Sequence, residues 1–318
     1  MSLVDVARKV LFNSQIRELL LKAFDGKPLV DSAGNSLYPQ NPFTKLVQFQ
    51  IDKCGGATEL HDRGFQPGEP FTGDIEHAKI LFVSSNPAYN QNEDSPFYHA
   101  EDDSIVLPQY DFLKRTPSSS PQKIYSYGNV RDILNKYFFV RLKNAPLTRS
   151  NAKGIPLLND PDYAGGVTYW TSVRNFIAEL MVGNPVFALT EIVPYRSSRE
   201  AGVSDAIGIP EAVNESWKTI RELIASSSVK VIVLVGNKSE KVFREKKQLE
   251  QVVDTEASLP YRQRKKLKTE QISLYIQDIG GMDRLIVKAR YRQGNLTSPS
   301  KYFSLNSKIL IKIRQALS

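Results

Sequence analysis

The chain has 318 residues, 41% of them hydrophobic, a single cysteine and a formal net charge of +8. That apolar fraction supports a real buried core, and no apolar run reaches the length of a helical bilayer span, so a soluble globular protein is expected. Cys54 alone makes neither an internal disulfide nor, by itself, a zinc or iron-sulfur site. With no Walker glycine loop, dinucleotide fingerprint or histidine-rich metal site in the sequence, no metal or cofactor is expected, and the basic balance points to nucleic acid or another polyanion as partner.

Met1-Ser2-Leu3 opens onto a helical pattern instead of a signal peptide, so the expected compartment is intracellular: cytoplasmic, or nuclear in a eukaryote. Apolar residues at helical spacing from Val4 to Phe24 predict a helix or helix pair. Gly26 to Thr72, rich in Gly, Pro, Asn and Asp, reads as an irregular lead-in wrapped on the surface. Next, Lys79 to Asn90 (KILFVSSNPAYN) is a short apolar run that stops at a polar turn on Asn86-Pro87, the pattern of a buried parallel strand opening onto a crevice. Asn90 to Gln122 is polar, acidic at Glu101-Asp102-Asp103 and then Ser/Pro-rich, which predicts a long loop able to act as a lid.

Helices are expected over Val130 to Leu142 and Thr168 to Met181, the latter with Trp170, Val173, Ile177 and Leu180 on one stripe. Val186 to Ser197 is a second strand running into a turn. Pro210 to Ala225 is a helix, Val229 to Asn237 a third strand, and Lys238 to Glu250 a basic helix. Ile272 to Ile276 alternates and returns through Gly280-Gly281 into Arg284 to Arg292, a fourth strand entered by a hairpin. Asn306 to Leu317 closes the chain as a helix. Four strands ending in polar turns and separated by helical patterns imply a three-layer α/β/α domain with a central, mainly parallel four-stranded sheet. With no repeat or obvious linker, residues 1–318 read as one elaborated domain, with a lead-in over 1–72 and an α/β core over 73–318.

The order and wording of the strand ends resemble the uracil-DNA glycosylase superfamily, most closely its iron-sulfur branch. A family Gly-x-x-Pro motif with a following acidic stretch and Pro-Phe is similar to Ser84-Ser85-Asn86-Pro87, Glu93-Asp94 and Pro96-Phe97. The family's Thr-Asn-x-Val and its turn resemble Thr190-Glu191-Ile192-Val193-Pro194-Tyr195-Arg196, and its Leu-Gly resembles Leu234-Val235-Gly236. The resemblance covers roughly Ala78 to Arg292. It implies strand order 2-1-3-4 and a glycosylase-like hydrolase acting on a nucleic-acid base, in DNA or another nucleic acid, single-stranded or with the base flipped out, and, without the cluster cysteines, a metal-free one. Besides Glu191 in place of the family's Asn, the chain departs from the family in its last motif and in its cluster ligands. The turn after the fourth strand, Arg290-Tyr291-Arg292-Gln293-Gly294-Asn295, has no histidine, since His61, His77 and His99 all lie upstream of the second strand, and the cluster cysteines are absent.

Releasing a base requires an aromatic surface, polar groups for its edge and a positioned water or carboxylate. Asn86 and Glu191 are the candidate catalytic residues, and Tyr89, Phe97 and Asn237 the candidate base-binding ones. Arg196, Arg199, Arg290, Arg292 and Asn295 are candidates for phosphate or leaving-group contacts. Each has a plainer reading: core packing for Tyr89 and Phe97, turn initiation for Asn86, an ion pair with Arg196, Arg199 or Arg290 for Glu191. Where an amide offers uracil both a donor and an acceptor, an ionised Glu191 only accepts, which suits the exocyclic amine of cytosine or adenine. The basic cluster Arg262 to Lys268 reads either as a phosphate-binding patch or as a solvated helix face. A non-catalytic nucleic-acid or nucleotide-binding protein that keeps the cleft is the alternative function, and an unrelated small-molecule hydrolase on a similar sheet is a third.

Overall fold

Val231–Val235 is a run of five valine, isoleucine and leucine residues, all buried, and Ile80, Leu81, Phe82 and Val83 are fully buried as well. A strand that hides successive residues, and so both of its faces, belongs in the interior of a parallel sheet covered on two sides. That is where a computed structural model places them. It describes residues 2–29, 41–84, 96–107, 110–111, 116–117, 122–139, 149–150, 156–157, 173, 176–177, 180, 186–196, 210–236, 239, 251–253, 274–289, 291–292, 295–296 and 308–318.

The main sheet has six strands: β1 (Ile80–Ser84), β2 (Phe187–Glu191), β3 (Val231–Val235), β4 (Gln251–Val253), β5 (Leu274–Asp278) and β6 (Asp283–Ala289). Their order is β4-β5-β6-β3-β1-β2. The four strands expected from sequence are β1, β2, β3 and β6, all parallel and in the expected order 2-1-3-4, with helices around them in a three-layer α/β/α arrangement. Ile80 pairs with Val231, and Val231 in turn with Leu285, fixing the register across the centre. Because these strands run the same way, the turns that follow them leave from one edge of the sheet. β5 is the expected hairpin partner of β6, joined through Gly280 and Gly281, both at positive φ (+70° and +79°), where glycine carries no steric cost. The short strand β4 extends this antiparallel edge and had no counterpart in the sequence reading.

By internal contacts the chain forms two compact units, each discontinuous in sequence. The unit comprising 74–84, 145–189 and 227–318 holds most of the sheet. In it Phe82 meets the edges of Phe176 and Phe187, with ring centroids 5.8 and 6.1 Å away. The last helix, Lys308–Leu317, is anchored when Arg314 Nε donates to the Leu180 carbonyl at 2.7 Å. Val173, Ile177 and Leu180 are buried as their stripe required, while Trp170 lies outside the described residues.

The other unit comprises 1–73, 85–144 and 190–226. Its main helices are α1 (Leu3–Leu11), α2 (Ser14–Phe24), α3 (Thr44–Cys54), α4 (Ala57–Arg63) and α5 (Pro210–Ala225), so the amino-terminal pattern is a helix pair, and a shorter helical stretch, Val130–Ile133 continued by Leu134–Phe138, lies inside the helix expected over Val130 to Leu142. The break between α1 and α2 comes at Asn13, whose Oδ1 accepts from the backbone N–H groups of Gln15 and Ile16 at 3.0 and 3.2 Å and caps α2. α5 has the bounds expected of it.

Two sequence expectations are corrected in this unit. The lead-in is not irregular throughout: α3 and α4 occupy 44–63, and Phe43, Leu46, Val47, Leu60, Phe65 and Phe71 are buried. The Gly and Pro density that suggested surface loop instead marks helix ends, with Gly55 and Gly64 at φ +101° and +89° closing α3 and α4. Likewise, Asn90 to Gln122 is not one long loop. Phe97–His99 and Ser104–Leu107 pair as antiparallel strands, and Lys123–Ser126 adds a third. The acidic stretch forms the tight turn between the first two: Asp103, at φ +52°, accepts a 2.7 Å hydrogen bond from the Tyr98 hydroxyl. Burial, reinforced by that bond to Asp103, pushes the Tyr98 phenol well above its usual pKa and keeps it a donor. Among the described residues no helix is long and apolar enough to cross a membrane.

Candidate functional site

Glu191 is the last residue of β2 and is half-buried. Everything after it as far as Arg196 is buried, so the turn that carries the family-like wording is wedged into packed structure. The segment holding it down is Gln66-Pro67-Gly68-Glu69-Pro70-Phe71, which the sequence reading assigned to the surface. Thr190 Oγ1 donates to the Pro70 carbonyl at 2.9 Å, and the Glu69 backbone N–H donates to the Pro194 carbonyl at 2.8 Å. Both side chains of the Arg196–Glu69 ion pair are largely buried, at 9% and 12% exposure. Gln50, fully buried on α3, ties the two segments together. Its Nε2 donates to the carbonyls of Gln66 (3.2 Å) and Arg196 (3.4 Å), and its Oε1 accepts from the Gln66 backbone N–H at 3.0 Å.

Tyr195 completes the junction. Its hydroxyl accepts from Asn13 Nδ2 at 2.7 Å, so the residue that caps α2 also holds the turn. Burial pushes this phenol far above its ordinary pKa, and the Asn13 bond opposes the shift only in part, so the hydroxyl stays protonated. The ring meets the edge of Phe43, with centroids 5.0 Å apart.

Gly68 lies against that ring with no room for a side chain. A Cβ there would overlap Val10 Cγ1 and come within 2.8 Å of Tyr195 Cε1. Because neither the buried Val10 nor the buried ring can swing into solvent, Gly68→Ala should cost about 1–3 kcal/mol, the usual penalty for overpacking a core. Equilibrium urea unfolding measures it, and an unchanged midpoint would show that the two segments are not tightly apposed.

Phe97 lies on the strand Phe97–His99, half-buried and paired with Val106, with its Cβ and the His99 ring close over Gly64. Arg292 and Asn295 face each other as Cα partners in a short antiparallel pair, Tyr291–Arg292 with Asn295–Leu296, so the structure brings these two candidates together. Asn86, Tyr89, Asn237, Arg199 and Arg290 lie outside the described residues, as does the cluster Arg262 to Lys268. Arg196, expected to contact phosphate or a leaving group, has its guanidinium engaged by Glu69.

Glu69, Gln50, Gly68 and Asn13 are the residues sequence reasoning missed. One signal was present: Pro67 and Pro70 flanking Gly68-Glu69 favour an extended segment, although nothing in that pattern names the partner segment. No family model matches the chain, and no curated protein matches it.

Proposed function

We propose that the chain is a divergent uracil-DNA glycosylase-like protein acting on a base in DNA. What supports the reading is one coincidence: four parallel strands in the order 2-1-3-4, with the family-like wording falling at the carboxyl ends of the first three in the same chain order. Open α/β sheets hold ligands outside the carboxyl ends of their strands, so this edge is the place for the chemistry. In this reading Asn86 orients water, Tyr89 or Phe97 stacks on the extruded base, and Glu191 accepts a hydrogen bond from its exocyclic amine. Arg290 and Arg292 supply positive charge toward a departing anion or a phosphate. The other reading, a binder without chemistry, is favoured by the missing histidine in the turn after β6.

The test is a screen of single- and double-stranded oligonucleotides carrying varied modified bases, read by abasic-site formation, beside binding titrations over a range of salt. Release is expected from bases with an exocyclic amine, along with salt-sensitive binding of single-stranded DNA, because released counterions drive phosphate contacts. Neutralising several residues of the Arg262 to Lys268 cluster should flatten the salt slope. No binding at low salt removes nucleic acid as partner. Binding without base release from any substrate leaves the non-catalytic function.

A further inference from the structure

A cavity of about 620 Å³ opens within the unit that holds the amino-terminal helices; Asn13 and Tyr195 of the junction line it, but none of the catalytic, base-binding or phosphate candidates does. α1 contributes Asp5, Arg8 and Lys9 to its wall, and α5 contributes Glu215, Lys218 and Glu222. The six charges balance and are already paired: Arg8 with Asp5 at 2.9 Å, Lys218 with Glu215 at 2.6 Å, Lys9 with Glu222 at 3.3 Å. The first two pairs sit within a helix, but the third bridges α1 and α5. Lys9 is 52% exposed and Glu222 34%, so this bridge is weakly held, as solvent-screened ion pairs are.

The same cavity carries aromatic surface. Tyr127 is half exposed, with the Arg8 guanidinium 5.0 Å from its ring centroid and Phe12 against it at 5.5 Å. We propose that this cavity binds a small zwitterion bearing an aromatic ring, of the α-amino-acid type. A ligand of one charge that opens the Lys9–Glu222 bridge satisfies one partner and leaves the other to solvent. A zwitterion satisfies both, its carboxylate on Lys9 and its ammonium on Glu222, replacing one ion pair by two while the ring packs on Tyr127 and Phe12. The balanced wall also gives a polyanion no net attraction, so this site is separate in kind from the phosphate contacts proposed at the sheet edge.

Isothermal titration of the full chain with L-phenylalanine tests this, with phenethylamine and 3-phenylpropionate as single-charge probes. L-phenylalanine should bind saturably and about tenfold or more tighter than either probe. Tyr127→Ala, at a half-exposed position, should weaken it by a similar factor with the circular dichroism spectrum unchanged. Lys9→Met combined with Glu222→Gln should erase the preference among the three probes. Equal binding of the three by the unaltered chain, no saturable heat from L-phenylalanine at millimolar concentration, or Tyr127→Ala without effect would each overturn the proposal.

Discussion

Arg196→Ala should destabilise the chain by about 3–5 kcal/mol, because it strips the counter-ion from a carboxylate that stays buried. Glu69 is 12% exposed and cannot recover its hydration without moving a segment that is hydrogen-bonded through Pro70 and its own backbone N–H. Replacing both partners is a different matter. Arg196→Met with Glu69→Leu leaves no orphaned charge, and apolar substitutes for a buried pair are often neutral or better, so most of the loss should return. Urea unfolding of the two variants separates the cases. A loss below about 1 kcal/mol for Arg196→Ala, the range of exposed ion pairs, would mean the pair is solvated. The double variant also separates structure from recognition. If it folds and binds single-stranded DNA with unchanged affinity, Arg196 supports the turn and touches no phosphate.

Uracil release by the unaltered chain should be about 100-fold to 1,000-fold slower than by a family member that has the fourth-turn histidine, since removing one electrostatic stabiliser of a developing anion costs roughly that much. The turn here offers Arg290-Tyr291-Arg292 instead, and a guanidinium stabilises an anion only where its reach matches the leaving base. Whatever base release the chain does show should fall with Asn86→Ala and with Glu191→Ala. Glu191→Asn should shift the preference toward uracil by restoring a donor beside the acceptor, with Glu191→Gln doing so at a slightly longer reach. Single-turnover rates on matched uracil- and cytosine-containing strands give the comparison. Uracil release as fast as an efficient glycosylase's would show that another group does the work of the histidine. A preference unmoved by Glu191→Asn would take Glu191 away from the base.

The four parallel strands and their hairpin partner β5 were legible in the sequence, while β4 and the junction that holds the second turn were not, for a physical reason. Apolar runs such as Val231–Val235 and Ile80–Val83, short and bounded by turn residues, hide successive residues as a strand covered on both faces does. Their number, direction and hairpin entry into β6 therefore follow from local pattern, and even the order 2-1-3-4 came with the resemblance of the strand ends. What the chain by itself determined about the candidate site is chemical: a carboxylate residue, Glu191, at the place where the resembled family has an amide, no histidine after β6, and a surplus of positive charge. Tertiary structure alone decided where Gln66 to Phe71 lies. Glycine and proline report how a segment bends, not what it bends against, and the same composition serves an exposed loop or a buried clamp. Gln50, Glu69 and Asn13 are polar residues whose local pattern predicts exposure or a helix cap. They acquire their second roles from partners up to 182 positions away, to which no periodicity points.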